Sequence, residues 1–245
     1  MPRNGWEMRV PRDGDRISIF GAPGMGKTTI LGKSLTRDVM HDGRLAYVYD
    51  PTGDLLKYLV HGSTSKDVID PDLVRQVRGV DEALELGTTR KGLFAGMRKY
   101  RVFVHVARKG MKDGGAQFRS AVNDDRTSGW VLVADEAELV YKNEGIDRDD
   151  ALEGLKLVRN RRQRLYLAGQ RPQWLSPLAR SNTTHVCLFK ADSTEFVEGG
   201  CREWGDVDDF RIVKELERFE YLYRGPDSEA PYDIHHAVED AIPWQ

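Results

Sequence analysis

The sequence predicts an α/β fold, with one mostly parallel, doubly wound sheet carrying helices on both faces. Three observations predict it. Short apolar runs of strand length recur along the 245 residues and alternate with stretches of helix length. The run Ile17-Ser18-Ile19-Phe20 passes through a glycine-rich loop directly into the Pro-free stretch Thr29 to Met40. No internal repeat, low-complexity tract or linker interrupts the alternation. Residues 1–245 therefore read as a single domain, with 16–191 as its core and 192–245 as an acidic C-terminal part of the same unit.

In order, Trp6 to Val10 and Arg16 to Phe20 read as strands around a turn at Arg12-Asp13-Gly14-Asp15. The helix Thr29 to Met40 stops at His41-Asp42-Gly43. Leu45 to Tyr49 is an apolar strand that ends in the turn Asp50-Pro51-Thr52-Gly53-Asp54, at the kind of edge where open α/β sheets place ligands. Val74 to Val77 reads as a strand, followed by a helix beginning after Gly79 with Asp81-Glu82 in its first turn. Arg101 to Ala107 is a strong strand, in which His105 reads as a core or sheet-face residue. Gly114 to Asn123 reads as a helix and Trp130 to Ala134 as the most apolar strand. A helix over about 147–162 carries Leu152, Leu155 and Val158 at a spacing of three, a core-facing stripe. Leu165 to Ala168 is a strand, Trp174 to Arg180 a short helix, and His185 to Phe189 and Phe219 to Tyr223 are strands.

The loop after the first strong strand is Gly21-Ala22-Pro23-Gly24-Met25-Gly26-Lys27-Thr28, followed by Thr29. It fits G-x-x-x-x-G-K-[ST] in the strand–loop–helix setting that gives the pattern its meaning. Glycines let backbone N–H groups curl around phosphate oxygens, and the helix N-terminus adds its dipole. Lys27 is placed for the β- and γ-phosphates and the Thr28 hydroxyl for Mg²⁺. The residues thus point to ATP with Mg²⁺. Four apolar residues closing on Asp135-Glu136 supply the partner chemistry: a carboxylate at a strand end for the metal shell, and a second to polarise water. Glu136 favours hydrolysis over phosphoryl transfer to an acceptor. Gln170, following a strand expected to neighbour that of Asp135, can hydrogen-bond both γ-phosphate and attacking water.

Composition excludes several classes. Cys187 and Cys201 sit in no disulfide or zinc spacing, which suits a reducing compartment. No stretch approaches ~18 consecutive apolar residues, and residues 1–10 lack a signal-peptide core. A cytoplasmic protein without membrane insertion is the expectation. The net charge of −2 hides strong polarisation. Residues 88–112 and 156–191 each hold eight Lys/Arg and no acid, which leaves 21 bases against 39 acids elsewhere. Such segregation is the footprint of a polyanion partner, although cations serving ATP or solvating helix faces give the same count. Arg108, Lys109 and Lys112 flank Gly110 in a loop after a strong strand, a candidate grip on DNA phosphates.

The glycine-rich loop, the Asp135-Glu136 pair and a strand ending in Gln170-Arg171-Pro172 together resemble the FtsK–HerA superfamily of ring-forming DNA pumps. The resemblance covers roughly residues 16–191. It implies a P-loop NTPase of the RecA-like ASCE type. The family pattern A-T-Q-R-P stands here as Ala168-Gly169-Gln170-Arg171-Pro172, departing at Gly169. Asp50 to Asp54 is similar to the D-P-K-G-E turn of conjugative members, with Thr52 in place of the lysine. An arginine eleven residues before the glutamine often reaches the neighbouring subunit's site in the family. That position is Arg159, preceded by Val158 where the family has Gly, so Arg161, Arg162 and Arg180 stay open as alternatives. Lacking the membrane spans, winged helix or N-terminal barrel of other members, the chain resembles the genome-packaging ATPases of tailless icosahedral viruses with double-jelly-roll capsids. The resemblance implies double-stranded DNA, capsid or portal-vertex proteins and a homo-oligomeric ring, hexamer or pentamer, as partners. A filamentous-phage-type assembly ATPase, and outside the family a P-loop kinase or nucleotide-gated switch, remain alternatives.

Overall fold

The computed structural model describes residues 12–61, 69–88, 100–106, 114–142, 148–191, 204, 207–226 and 233–237. Among the described residues nine strands form one sheet: β1 (Arg16–Phe20), β2 (Ala46–Tyr49), β3 (Val74–Val77), β4 (Val102–His105), β5 (Val131–Ala134), β6 (Arg164–Gly169), β7 (His185–Phe189), β8 (Glu220–Arg224) and β9 (Asp233–His236). Their order is β3-β4-β2-β5-β6-β1-β7-β8-β9. The first seven in this order pair in parallel, while β8 and β9 add antiparallel at one edge. The sheet is thus mixed but mostly parallel. Its crossover helices are α1 (Lys27–Met40), α2 (Asp54–His61), α3 (Val80–Thr88), α4 (Gly114–Asn123), α5 (Arg148–Asn160) and α6 (Pro177–Ser181), and α7 (Val207–Glu215) leads into β8.

The central strands β2, β4, β5, β6 and β7 are buried at every residue, as strands covered on both faces must be. Alternate side chains feed two cores. On one face Tyr47, Phe103, Leu132 and Leu165 pack with Ala83, Phe118, Leu155 and Val158 from α3, α4 and α5. On the other, Ile19, Val48, Val104 and Val133 pack with Ile30, Leu35 and Leu55 from α1 and α2. At roughly 1.5–3 kcal/mol for each fully buried large aliphatic or aromatic side chain, these layers are the main source of stability. His105 is 1 % exposed, with its Nδ1 3.1 Å from the Tyr47 hydroxyl, and burial lowers its pKa. It is a core residue.

Four elements differ from the sequence expectation. The stretch Trp174 to Arg180 is broken into a 3-10 turn, Pro172–Trp174, and α6. The break has a local cause, because Ser176 caps Ala179 N–H and Pro177 occupies the first helical position. Helix α2 begins immediately after the Asp50 turn, which supplies its N-terminal hydrogen bonds. Strand β9 and helix α7 are further elements that the sequence reading omits. Among the described residues no helix is long and apolar enough to cross a membrane.

Candidate functional site

The parallel strands bring their C-terminal ends to one edge, and the sequence motifs meet there. Strand β1 opens into the loop 21–26, pinned by Ala22 N–H donating to the Lys190 carbonyl at the end of β7 (2.9 Å). Gly26 caps α1 at φ 119°, ψ 5°, in left-handed space, and a Cβ there would come 2.8 Å from the Phe219 ring. Only glycine fits. The cap makes no side-chain hydrogen bond, and the first turn carries no acid. The first helical N–H bond is Ile30 to Gly26, so the N–H groups of Lys27, Thr28 and Thr29 are left facing the loop. This is a cradle for phosphate, and the residues fit one. Lys27 Nζ lies across it, donating to the carbonyls of Gly21 (2.8 Å) and Ala22 (3.0 Å). Burial pulls the Lys27 ammonium below its ordinary range, against the opposing pull of Asp135, Glu136 and Glu138.

Strand β5 ends two positions along the sheet from β1, with β6 between them. Asp135 follows it, 8 % exposed, and burial together with Asp50 and Glu136 pushes its carboxyl up to about 7. Asp50, wholly buried at the end of neighbouring β2, accepts from the N–H groups of Gly53 and Leu56 (2.8 Å each), and burial raises its pKa as well. Lys27 counters the rise at Asp135, and only neutral donors, two backbone N–H groups and the Thr52 hydroxyl, counter it at Asp50, so the pair is short of positive charge. Among the described residues no cluster of three or more His, Cys, Asp or Glu could hold a metal. The set suits Mg²⁺, which keeps several waters and takes one or two protein ligands beside phosphate oxygens. Thr28 and Asp135 would supply them.

Glu136 sits at φ 61°, ψ 56°, left-handed backbone that costs a non-glycine residue on the order of 1 kcal/mol. Its carboxylate accepts a hydrogen bond from Gln170 Nε2 at 3.3 Å. Strands β5 and β6 are paired in parallel, so Gln170, one residue past β6, stands beside the residues that follow β5. Both side chains line a groove of about 680 Å³ with Pro51, Thr52, Glu138 and Trp174. Asp135, Glu136, Gln170 and Lys27 are therefore brought to one edge of the sheet.

The other expected residues lie elsewhere. Arg159 is exposed near the C-terminal end of α5, against Gly14, which precedes β1. Five residues of β1, about 16 Å of extended chain, separate that position from the glycine-rich loop of the same molecule. Arg161 pairs with Asp125 (2.8 Å) and donates to the Val122 carbonyl, while Arg180 is buried and donates to the Pro172 carbonyl. Arg162 is exposed at φ 54° in the turn entering β6. Arg108, Lys109 and Lys112 lie outside the described residues. So does most of the basic stretch 88–112, and the Arg101 guanidinium donates to the Gly43 carbonyl.

Sequence reasoning missed two features of the site. Glu138, 9 % exposed, stands beside Glu136, and burial with the Glu136 neighbour pushes its carboxyl up to about 8. The turn before β8 also clasps the glycine-rich loop. Phe219 N–H donates to the Met25 carbonyl (3.0 Å), and Arg218 Nε donates to that of Gly24 (3.3 Å) while stacking on the Phe219 ring. The one sequence signal for Glu138 is the departure at Gly169, where a Cβ would lie 2.5 Å from Glu138 Oε2.

No family model and no curated protein matches the chain. Solved structures do. The genome packaging NTPase B204 from Sulfolobus turreted icosahedral virus 2, in complex with AMPPCP, is 15% identical, with a TM-score of 0.67, over 91% of this chain and 97% of its own. The same NTPase in complex with ATP-gammaS gives 14% and 0.66 over the same shares. VirB4 of Thermoanaerobacter pseudethanolicus is 14% identical, with a TM-score of 0.55, over 87% of each chain. At such identities the likeness is one of architecture, and the architecture is the α/β, RecA-like fold of P-loop NTPases.

Proposed function

We propose that the chain is an ATP-hydrolysing motor that moves double-stranded DNA, in the manner of enzymes that fill viral capsids, and that it works as a homo-oligomeric ring. One observation carries the reading: the phosphate cradle, Asp135 and the Gln170–Glu136 hydrogen bond share one sheet edge. Lys27 and the loop N–H groups hold the phosphates of ATP, and Thr28 and Asp135 would hold Mg²⁺, which would supply positive charge beside the phosphates. Glu136 takes a proton from water as the water oxygen attacks the γ-phosphorus. The bond to the ADP oxygen breaks, and its electron pair stays with ADP. Gln170 touches the base directly, so phosphate loss at the site reaches β6 through one side chain. The likeness to the packaging NTPase B204 supports DNA as the object moved. Arg159 belongs to this reading as a cation offered to the next subunit, since it lies far from its own site. Arg108, Lys109 and Lys112 are offered to DNA phosphates, and capsid vertex proteins as the partner.

The test is ATP hydrolysis by the purified protein with and without duplex DNA. Stimulation by duplex DNA is expected, together with loss of at least ~10²-fold in Glu136→Gln, a variant that still binds ATP. Turnover indifferent to DNA at low salt would remove the motor reading and leave an ATPase of another class. Wild-type turnover in Glu136→Gln would remove Glu136 as the base.

A further inference from the structure

Glu138 lies in the 3-10 turn Ala137–Leu139, directly after the backbone reversal at Glu136. Its carboxyl is nine-tenths buried, and its Oε2 has no hydrogen-bond partner. The polar groups that act on it are its own N–H, the Gln170 N–H and the Glu136 carboxyl, and it interacts through space with the Lys27 ammonium. The space it fills exists because residue 169 has no side chain. Gly169 lies in β6 with an ordinary strand backbone, so glycine is required there for room and not for conformation. A Cβ would lie 2.5 Å from Glu138 Oε2, closer than two such atoms can approach. The departure from the family pattern at Gly169 and the carboxyl at Glu138 are thus two halves of one arrangement.

A buried carboxyl beside a second carboxyl keeps its proton, because burial and the like charge both oppose ionisation. As a neutral acid it is an O–H donor, and a short one. We infer that Glu138 is a positioning residue for Glu136: seated in the room left by Gly169, it donates a hydrogen bond to the Glu136 carboxylate opposite the Gln170 amide. Held from two sides on a strained backbone, the Glu136 carboxylate keeps one orientation and still has lone pairs free for water. No proton leaves Glu138 in the cycle. The inference rests on the reading of Glu136 as the base.

The experiment compares Glu138→Gln, which keeps a donor, with Glu138→Met, which keeps the volume and has none. Each is measured for kcat, KM and affinity for a fluorescent ATP analogue, the last serving also as a check of folding. Glu138→Met should lower kcat about tenfold or more with analogue affinity unchanged, the scale expected when a reacting group loses its orientation. Glu138→Gln should recover kcat to within about threefold of wild type, since its amide restores the donor. Gly169→Ala, which crowds the carboxyl without touching nucleotide, should behave like Glu138→Met. Glu136→Gln combined with Glu138→Met should be no slower than Glu136→Gln alone. Wild-type kcat in Glu138→Met, or equal losses in the Gln and Met variants, would overturn the inference while a dead Glu136→Gln leaves the base in place. An active Glu136→Gln would instead overturn the base and this inference with it.

Discussion

The two edges of the sheet treat charge in opposite ways. Where the strands begin, acids and bases meet each other. Arg164 at the start of β6 pairs with both Asp38 and Asp42, and Tyr166 donates to Asp38 at 2.8 Å. Arg44 pairs with Asp13, Arg161 with Asp125, and His185 Nε2 lies 3.0 Å from Asp15 Oδ2. At Asp15, burial works against the charge, yet His185 wins and holds the carboxyl below its ordinary range. Asp38 is the exception, raised by burial even against Arg164. Where the strands end, the carboxyls of Asp50, Asp135 and Glu138 are all raised, and at Asp135 the Lys27 ammonium works against the rise. One edge is complete within the fold. The other is short of positive charge, a shortage that a metal–phosphate ligand would relieve.

The contrast breaks most sharply at Arg164. Arg164→Ala leaves Asp38 buried without its cation and should cost about 3–5 kcal/mol of stability, read from denaturant midpoints. Nucleotide affinity of the protein that remains folded should be unchanged. A loss under about 1 kcal/mol would mean that the paired edge is not held by its pairs. At the opposite edge a substitution should do the reverse. Asp135 and Glu138 have folded pKa values near 7 and 8, above their unfolded values, so the stability tied to their protonation is full below about pH 4 and is lost as pH rises through those values. The nucleotide-free protein should therefore melt lower at about pH 8.5 than at about pH 5. Asp135→Asn should flatten that slope and add about 1 kcal/mol at the alkaline end while abolishing hydrolysis. A steeper slope in Asp135→Asn would place the strain elsewhere. The smallest effect belongs to Asp125, which pairs with Arg161 but is 90% exposed. Asp125→Ala should change stability by no more than about 0.5 kcal/mol, marking which pairs on the completed edge carry weight.

What was legible in the sequence was local. The glycine-rich loop, Asp135-Glu136 and Gln170 are each set by the end of one strand, so short motifs found them, and the strand-length runs gave eight strands within a residue or two. Beyond the adjacency of β5 and β6, strand order was not legible, because the pairing of β1 with β6 and β7 joins residues far apart in the chain. Glu138 went unread for a similar reason, since its meaning lies in contacts with Gly169 and Glu136 rather than in spacing. The stretch 156–191, free of acids in sequence, looked like an exposed cationic tract. In space Arg161 and Arg164 find acids on other elements, so segregation along the chain is only partly segregation on the surface. Strand β9 is four residues with two histidines and little alternation to betray it.

The central place of β1 also sets when the nucleotide site can come into being. Its backbone is held on one side by β6 and on the other by β7, and the bond from Arg16 N–H to Thr184 Oγ1 spans 168 residues. The loop 21–26 is tied down later still, by Lys190 and then by Arg218 and Phe219. On a ribosome adding ~5–20 residues per second, the glycine-rich loop emerges roughly 8–40 s before the strands that give it shape. Its N–H groups meet the cell's ATP as loose chain throughout that interval. The site is thus completed from the C-terminal half of the chain, and a ribosome stalled before β7 would carry every residue of both sequence motifs without the site they build.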